Sequence, residues 1–458
     1  MPWLVASVLY VAFVDRGGVN VPFSDDWSMI ALLQGDISHQ LGLSALWAQH
    51  NENRMIIPNL IFLYVARHAR DFEVVMMRLG AIMFCVGNLF VLLAIRTRSE
   101  VNSWLASGVN FVATGLTLVG LFSLAAVENI FWAFQFAWFF IYALSALAIL
   151  MIVYFERRGF PLKRTLVSLI AIAVVASISS SQGLFVFISE GAAILLFALA
   201  KSDRGERRHY LLVAFGVLAS FVVTAGIYFY NLNFAQITAA PSRHNGIAYL
   251  YDYFTTVATT YSFGLTHHGS VLARDAVSCI YLVIIVVTLA RFLRYRALPD
   301  PVVVFFVTFA VIFELAVTMS RHQFGLTQGA SSRYALYFLP AVGVLPLLVQ
   351  GWLRRSGPER TPRGHFSIDA INFRSPMATV ARLGLLGLVA FTCYKVDTNF
   401  GIPAAKAIKA QRMVAVAQVK EYPKWNAQEV RLYLYPSSRF IAPYVLFFQR
   451  YESGFTKG

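Results

Sequence analysis

The most chemically dense stretch of the sequence is the polar run HNENR at residues 50–54, which lies between two apolar segments. If the run is extended, His50, Glu52 and Arg54 point to one face. His50 can then exchange a proton, Glu52 can orient it or accept a hydroxyl, and Arg54 can bind an anionic oxygen through its planar fork. The alternative is a structural network in which Arg54 reaches a lipid headgroup. Three complementary side chains at alternate positions favour the functional interpretation.

Two adjacent carboxylates, Asp25 and Asp26, follow the first apolar segment in the motif SDDW. Adjacent acids repel each other, and partial burial adds to this effect, so the pKa of one of them rises towards that of a general base. The same residues also suit the start of a helix, because Asp is favoured at the N-cap and in the first turn. Capping explains one Asp but does not require two, and both interpretations stay open.

A third polar cluster lies in AAVENIFWAFQF, where Glu128, Trp132 and Gln135 are spaced i, i+4 and i+7. This spacing predicts that the three side chains share one face of a helix end. A Trp beside an acid and an amide can hold a sugar ring by stacking and hydrogen bonds to its hydroxyls. The alternative is that Trp132 belongs to the aromatic belt of a membrane protein.

A fourth cluster lies in SRHQFGLTQGASSRY, which contributes Arg321, His322, Arg333 and Tyr334. An arginine in such a loop can neutralise a phosphate. Taken alone, each cluster is weak evidence for a site. Their predicted agreement on one side of a membrane is the stronger indication.

The composition identifies the class of protein that must position these residues. Of 458 residues, 58% are hydrophobic and 13% charged, and the mean hydropathy is +0.62, as in polytopic membrane proteins. The net charge of +15 lies in short loops between apolar runs, so we expect membrane lipids and no nucleic acid as partners. The three cysteines lie inside apolar runs and are predicted to be reduced core residues: Cys85, Cys279 and Cys393.

Apolar runs long enough to cross a bilayer as helices predict about eleven spans. The first run has no basic n-region or cleavage site, so it is expected to be a retained helix. The runs lie at about 1–14, 74–95, 104–122, 134–154, 165–180, 183–200, 210–230, 271–290, 301–319, 334–352 and 378–394.

Basic residues concentrate in alternate loops, which predicts that those loops are cytoplasmic. The opposite loops then face outward, and they hold all four polar clusters. We therefore predict an all-α transmembrane bundle at 1–396 with a first outer loop at 15–73, and a small extracytoplasmic C-terminal segment at 397–458. The absence of an N-x-S/T sequon favours a bacterial inner membrane, with any site facing the periplasm.

The first outer loop is expected to contain short amphipathic helices. One is capped at Ser24 or Asp25, has apolar residues at helical spacing, and stops at Gly35. Another lies in LSALWAQ, and a third begins near Pro58 and lies along the membrane surface.

Two acids, Glu190 and Glu314, lie within predicted spans. A carboxyl inside a membrane is costly, so it faces a partner or a cavity and marks a packed polar contact or a transport path. Packing is favoured, because no basic partner is evident within the spans.

Together, the acid pair after the first span, the helical first loop, HNENRMIIP before the next span and the late Arg-Tyr of SSRYALYFLP resemble the GT-C class of integral-membrane glycosyltransferases. More narrowly, the chain is similar to bacterial members that modify cell-envelope glycans. The resemblance implies transfer of a sugar from a polyprenyl-phosphate carrier to an envelope glycan or lipid acceptor, usually with inversion. It makes Asp25 or Asp26 the base, and it makes Arg54 and Arg333 the phosphate-binding residues.

The chain departs from this class by lacking a WWDYG-type signature and a large soluble C-terminal domain, which leaves the acceptor type and a divalent metal open. No residues are predicted as metal ligands. Two rival functions are a transporter or flippase of lipid-linked glycans and a non-catalytic scaffold for envelope assembly. A transporter predicts repeat symmetry and functional charges within the spans, whereas a scaffold gives the acid pair no role beyond capping.

Overall fold

The computed structural model describes residues 2–98, 115, 117–201, 203–233, 246–258, 260, 301–340, 384, 387, 390, 391 and 393–455. Within these ranges the chain is helical or irregular, and the only extended pairing is a bridge between His50 and Asn53. The predicted all-α class is therefore confirmed for the described residues.

Five described helices are long and apolar enough to cross a membrane, and each coincides with a predicted span. The predicted runs at 1–14 and 165–180 form shorter helices of 16 residues each. The run at 271–290 lies outside the described residues, and those at 104–122, 334–352 and 378–394 lie partly or mostly outside them. The five helices are Phe72–Thr97, Ala133–Glu156, Ser181–Leu199, Arg204–Phe229 and Pro301–Phe324.

The N-terminal helix packs antiparallel to the first long helix. The indole Nε1 of Trp3 donates to the carbonyl of Cys85 at 3.0 Å, and the rings of Tyr10 and Phe84 lie 4.9 Å apart. Cys85 is buried and unpaired, as expected, and so is Cys393, whereas Cys279 lies outside the described residues. The helices of this region are α1 (Pro2–Gly17), α2 (Asp26–Ile37), α3 (Leu43–Leu46), α4 (Ile56–His68) and α5 (Phe72–Arg98).

Two glycines allow α5 to pack closely against a later helix. After α6 (Val127–Ile130), α7 spans Phe136–Glu156, and a Cβ at Gly80 or Gly87 would lie 2.9 Å from the ring of Phe139 or 2.6 Å from that of Tyr142. These contacts advance in the same direction along both helices, so α5 and α7 are parallel. The chain therefore returns to its starting end between them.

The following helices are α8 (Leu162–Ser177), α9 (Leu184–Ala200), α10 (Arg204–Phe229), α11 (Ile247–Ala258) and α12 (Pro301–Arg321). Among them α8, α9 and α10 alternate in direction. Phe187 of α9 packs on Phe221 of α10, and Phe197 near the end of α9 packs on Tyr210 near the start of α10. Phe185 packs on Phe309 of α12. The loop at 157–161 and Lys201 at the end of α9 thus lie at one end of the bundle, and the start of α9 and the end of α12 lie at the other.

The C-terminal segment packs against the first loop. It contains α14 (Ile402–Glu421), α15 (Ala427–Tyr433) and α16 (Ser438–Phe455), which follow the short α13 (Leu326–Gly329). α16 buries a stripe formed by Ile441, Val445 and Phe448. The ring of Phe448 meets Trp27 of α2 at 6.1 Å, so the tail and the carboxylate motif form one packed unit.

Candidate functional site

Helix α2 begins as its sequence pattern predicts but ends later. Trp27, Ile30 and Leu33 are fully buried, as their helical spacing indicates. The predicted stop at Gly35 is wrong, because the helix continues to Ile37. The chain turns only at His39, whose φ is 55°. A glycine usually ends a helix by adopting the left-handed backbone conformation. In α2 this conformation is adopted by His39, four residues after Gly35.

Asp25 occupies the N-cap position of α2 without capping it, since its side chain accepts no hydrogen bond from the first turn. Its carboxylate is instead 26% exposed, and its Oδ1 lies 3.4 Å from Nε2 of His50. His50 Nε2 has no well-formed hydrogen bond within the described residues, and its ring packs on Phe134 at 5.0 Å. Asp25 and His50 are thus adjacent, and Asp25 is free to act on a ligand.

Asp26 lies on the other side of the same turn and is buried. Its Oδ2 accepts from the amide of Phe23 at 2.9 Å, and its Oδ1 accepts from the amide of Phe134 at 2.8 Å. Burial raises the pKa of Asp26 to about 7, although these bonds and the positive charge of Arg412 act to lower it. A pKa near 7 suits a general base, but a base must also have an oxygen within hydrogen-bond reach of the proton that it takes. Both oxygens face backbone amides, so Asp26 joins two chain segments and Asp25 is the better candidate.

The HNENR run forms a tight turn, so the condition of an extended run, under which His50, Glu52 and Arg54 would share a face, is not met. The amide of His50 donates to the carbonyl of Asn53 at 2.9 Å, and the amide of Asn53 donates back at 2.8 Å. Asn51 has a φ of 51°, a conformation that Asn tolerates better than most residues. The turn separates the three predicted partners, because His50, Glu52 and Arg54 each contact a different element.

Arg54 points into the protein rather than towards a ligand. Its guanidinium donates to the carbonyls of Trp47 at 2.7 Å, Tyr228 at 2.8 Å and Tyr230 at 2.8 Å. It also lies 4.6 Å from the centre of the Trp47 ring, and the residue is only 4% exposed. The phosphate-binding role predicted for Arg54 does not fit these contacts. Arg54 instead holds the turn against the end of α10.

Glu52 points towards α12, where Arg321 donates to its Oε1. The other oxygen of Glu52, Oε2, is buried and has no partner within the described residues. His322, which the sequence groups with Arg321, has its Nδ1 2.9 Å from the carbonyl of Thr318 in the preceding turn. Arg321 therefore reaches the 50–54 turn, whereas His322 stays on its own helix.

The segment of Glu128, Trp132 and Gln135 is not one continuous helix, so the predicted common face is wrong. α6 ends at Ile130, and Trp132 is extended, with φ −141° and ψ 113°, before a short 3-10 helix at Ala133–Gln135. The break places the amide of Phe134 where it donates a hydrogen bond to Asp26. Tertiary hydrogen bonding thus overrides the helical spacing of these residues.

Glu128 and Arg333 form an ion pair next to the turn. Nη1 of Arg333 lies 3.8 Å from Oε1 of Glu128, and Ser331 donates to the second oxygen of Glu128. The guanidinium also lies 5.8 Å from the ring centre of Trp132 and 5.3 Å from that of Tyr334. Trp132 therefore supports Arg333 and does not itself line the cavity described next.

A cavity of about 280 Å³ lies where these elements meet. Four ionisable side chains line it, two carboxyl groups from Asp25 and Glu52 and two guanidiniums from Arg321 and Arg333. Gln135, also in the lining, has a buried Oε1 that accepts no hydrogen bond from the described residues. The remaining lining residues are Asn51, Asn53, Phe134, Trp138, Ser181, Gln182, Leu184, Phe185, Phe229, Phe313, Ala316, Val317, Ser320 and Tyr334.

Sequence reasoning missed part of the cavity wall. Oδ1 of Asn53 accepts from the hydroxyls of Ser180 at 2.7 Å and Ser181 at 2.8 Å, so the 50–54 turn is bonded to the start of α9. The polar sequence SSSQG, at the boundary of two apolar runs, was the feature of the sequence that could have indicated this part of the wall. Trp138 lines the cavity where Trp132 was expected to do so.

The helix ends explain how the cavity forms. Its residues come from the starts of α2, α7 and α9 and the ends of α10 and α12, which are all at one end of the bundle. The wall combines aromatic and aliphatic side chains with a few convergent polar groups, as expected for a small-molecule site. Among the described residues, no group of three or more His, Cys, Asp or Glu side chains is arranged to hold a metal ion.

No protein-family model, curated protein or solved structure matches the chain. The site residues themselves therefore carry the functional inference.

Proposed function

We propose that this protein is a membrane glycosyltransferase of GT-C type, which moves a sugar from a polyprenyl-phosphate carrier to an envelope glycan or lipid acceptor. The reaction takes place at the periplasmic face of the bacterial inner membrane. The observation that carries the proposal is the presence of one free carboxylate, Asp25, and two guanidiniums, Arg321 and Arg333, in a single cavity at the ends of apolar helices.

Transfer with inversion needs a base on one side of the sugar and charge neutralisation on the other. Asp25 takes the proton of the acceptor hydroxyl while that oxygen attacks the anomeric carbon. The bond from this carbon to the phosphate oxygen breaks, and its electron pair leaves with the phosphate. Arg321 and Arg333 stabilise the departing phosphate, and each retains N–H donors beyond its ion pair.

Three neighbours prepare these groups for the reaction. His50 lies against Asp25 and can hold or relay its proton. Glu52 positions Arg321, and Glu128 positions Arg333. Gln135 Oε1 and Glu52 Oε2 have no hydrogen-bond partner in the described part of the chain. They suit hydrogen bonds from sugar hydroxyls, because a buried acceptor without a bond is costly.

The deciding experiment is transfer by the reconstituted protein, using a panel of labelled polyprenyl-phosphate sugars and membrane acceptors. Asp25→Asn removes the proton acceptor and should lower transfer by about 100- to 10,000-fold. Asp36→Asn is the matched control, because Asp36 lies on the same helix but pairs with Arg67 on the surface. Equal transfer by Asp25→Asn and the parent would remove Asp25 as the base.

A transporter of lipid-linked glycans is the second candidate, favoured by two buried acids. Both oxygens of Glu190 and Oε1 of Glu314 have no hydrogen-bond partner within the described residues, and both residues lie in membrane-spanning helices. Glu190→Gln and Glu314→Gln distinguish the two functions. A glycosyltransferase retains sugar transfer in both variants, whereas a transporter loses movement of the lipid across vesicles.

A further inference from the structure

Three aromatic rings, one exposed and two half-buried, pack together on the C-terminal segment outside the cavity. The rings of Tyr435 and Phe440 stack with centres 4.9 Å apart and planes at 27°. Tyr444 meets Phe440 edge-on at 5.6 Å. Phe440 is 41% exposed, whereas Ile441, next to it on α16, is fully buried against the protein. Phe440 and Tyr444 on α16, together with Tyr435 from the loop before it, form the aromatic patch, in which Phe440 is exposed and the two tyrosines are half-buried.

The aromatic patch is fixed next to the candidate base. The amide of Ser24 donates to the carbonyl of Leu434 at 2.7 Å. Asp25 follows Ser24, and Tyr435 follows Leu434, in the sequence. Burial and the negative charge of Asp25 both raise the pKa of the Tyr435 phenol. Asp25 and Tyr435 are thus close enough to act on one bound molecule.

The aromatic patch lies beside Asp25 but is not part of the cavity wall. Asp25 lines the cavity, but none of the three patch residues does. A donor sugar in the cavity and an acceptor on the patch would therefore both reach this carboxylate. An aromatic face stacks on the apolar face of a sugar ring, and a phenol can hydrogen-bond to its hydroxyls.

We propose that Tyr435, Phe440 and Tyr444 form the acceptor subsite, and that the acceptor group bound there is a carbohydrate ring. This inference rests on the proposed glycosyltransferase function and names its acceptor class. The patch holds the ring so that one hydroxyl points at Asp25. A lipid alcohol or a peptide side chain would gain little from such a surface.

The patch could instead lie in the membrane interface, where aromatic residues are common. Phe440→Trp in vesicles containing brominated lipids tests this possibility by fluorescence. Each signal is taken as the difference from the parent, whose eight tryptophans also fluoresce. The acceptor subsite predicts less quenching at position 440 than in Phe215→Trp, which places the indole on an exposed face of α10 within a predicted span. Equal quenching at both positions would place the ring in lipid and overturn the proposal.

Kinetics provide the main test. Tyr435→Ala and Phe440→Ala should each raise the KM for the acceptor by about 2- to 10-fold, the worth of one aromatic contact. The KM for the donor and its slow hydrolysis by water should not change. Leu432→Ala is the matched control, because Leu432 is 63% exposed on the neighbouring α15. Unchanged acceptor KM in both aromatic variants would overturn the subsite and leave the glycosyltransferase proposal standing.

Direct binding separates failure of the subsite from failure of the enzyme. The probes are labelled tetrasaccharides of hexose and of N-acetylhexosamine, titrated into the full chain in nanodiscs. If the parent transfers no sugar but binds a probe, and Tyr435→Ala weakens that binding, the subsite stands without the proposed reaction. If the parent binds neither probe, or Leu432→Ala weakens binding as much as Tyr435→Ala, the subsite is wrong.

Discussion

At the residue scale, two arginines meet at the 50–54 turn but differ in what surrounds them. Arg54 belongs to the turn, and Arg321 contacts it through Glu52. Arg54 is buried among three backbone carbonyls, whereas Arg321 lines the cavity beside Glu52. A guanidinium that satisfies carbonyls stabilises the fold, because each carbonyl would otherwise be left without a donor. The two arginines are therefore separable by substitution.

Arg54→Lys should destabilise the protein by about 2–4 kcal/mol, because one ammonium cannot replace three hydrogen bonds directed by a planar fork. Arg321→Lys should instead leave the melting temperature within a few degrees and raise the KM for the polyprenyl-phosphate donor. Thermal unfolding in detergent and donor titration measure the two effects. A donor defect in Arg54→Lys without any loss of stability would restore its predicted phosphate role.

Asp26 makes a pH-dependent contribution to stability whose sign follows from its raised pKa. Burial raises the pKa of the folded Asp26 carboxyl from its ordinary value of 3.8 to about 7, so the unfolded chain releases the proton first as the pH rises. This contribution is fully present below about pH 3.8 and is lost as the pH rises towards 7. Melting temperatures of the parent and Asp26→Asn should therefore shift in favour of the variant between pH 4 and 7.5. A shift in the opposite direction would mean that Asp26 is held ionised by a close cation.

At the element scale, the start of α9 depends on one glycine. A Cβ at Gly183 would lie 2.0 Å from the carbonyl carbon and oxygen of Ala176, both backbone atoms that cannot move aside. Gly183→Ala should therefore displace the turn that carries Ser181 and Gln182 into the cavity. We expect a loss of several kcal/mol of stability, at the upper end of single substitutions, together with loss of ligand binding.

Gly226→Ala is the control for this substitution, because no atom of the described residues lies within 4 Å of a Cβ at that position of α10. Its effect should stay within about 1 kcal/mol, the difference in helix propensity between Gly and Ala. Thermal unfolding of both variants in the same detergent compares them. Equal stability of the two variants would show that the contact between Gly183 and Ala176 is not rigid.

The sequence predicted helices more reliably than the loops between them. Apolar periodicity and length are local properties, so α2 and the five long helices were found, and the cavity residues Asp25, Glu52, Gln135, Arg321, Arg333 and Tyr334 were among the candidates. The turn at Asn51 and the break at Trp132 depend on partners far along the chain. Local spacing contains no information on those partners, so Glu128 and Arg54 received the wrong geometry.

At the scale of the whole molecule, the five long helices relate the cavity to the charge pattern. The cavity lies at the end of the bundle opposite to Arg157 and Lys201. Because α5 and α7 are parallel, α5 also starts at the cavity end of the bundle and ends at the opposite end. Positive loops favour the cytoplasm, so the cavity is expected to face outward, where a lipid-linked sugar would be delivered.

Cysteine labelling in right-side-out vesicles tests this orientation, starting from a variant that lacks Cys85, Cys279 and Cys393. Ser38→Cys lies on an exposed loop after α2, and Arg158→Cys lies on an exposed loop after α7. A membrane-impermeant maleimide should label position 38 directly and position 158 only after the vesicles are opened. Labelling of position 158 alone would reverse the orientation, and the sugar donor would then have to reach Asp25 from the cytoplasm. Labelling of both positions in sealed vesicles would mean that positions 38 and 158 lie on the same side of the membrane. That result would contradict the helix order along α5 and α7, which places them on opposite sides.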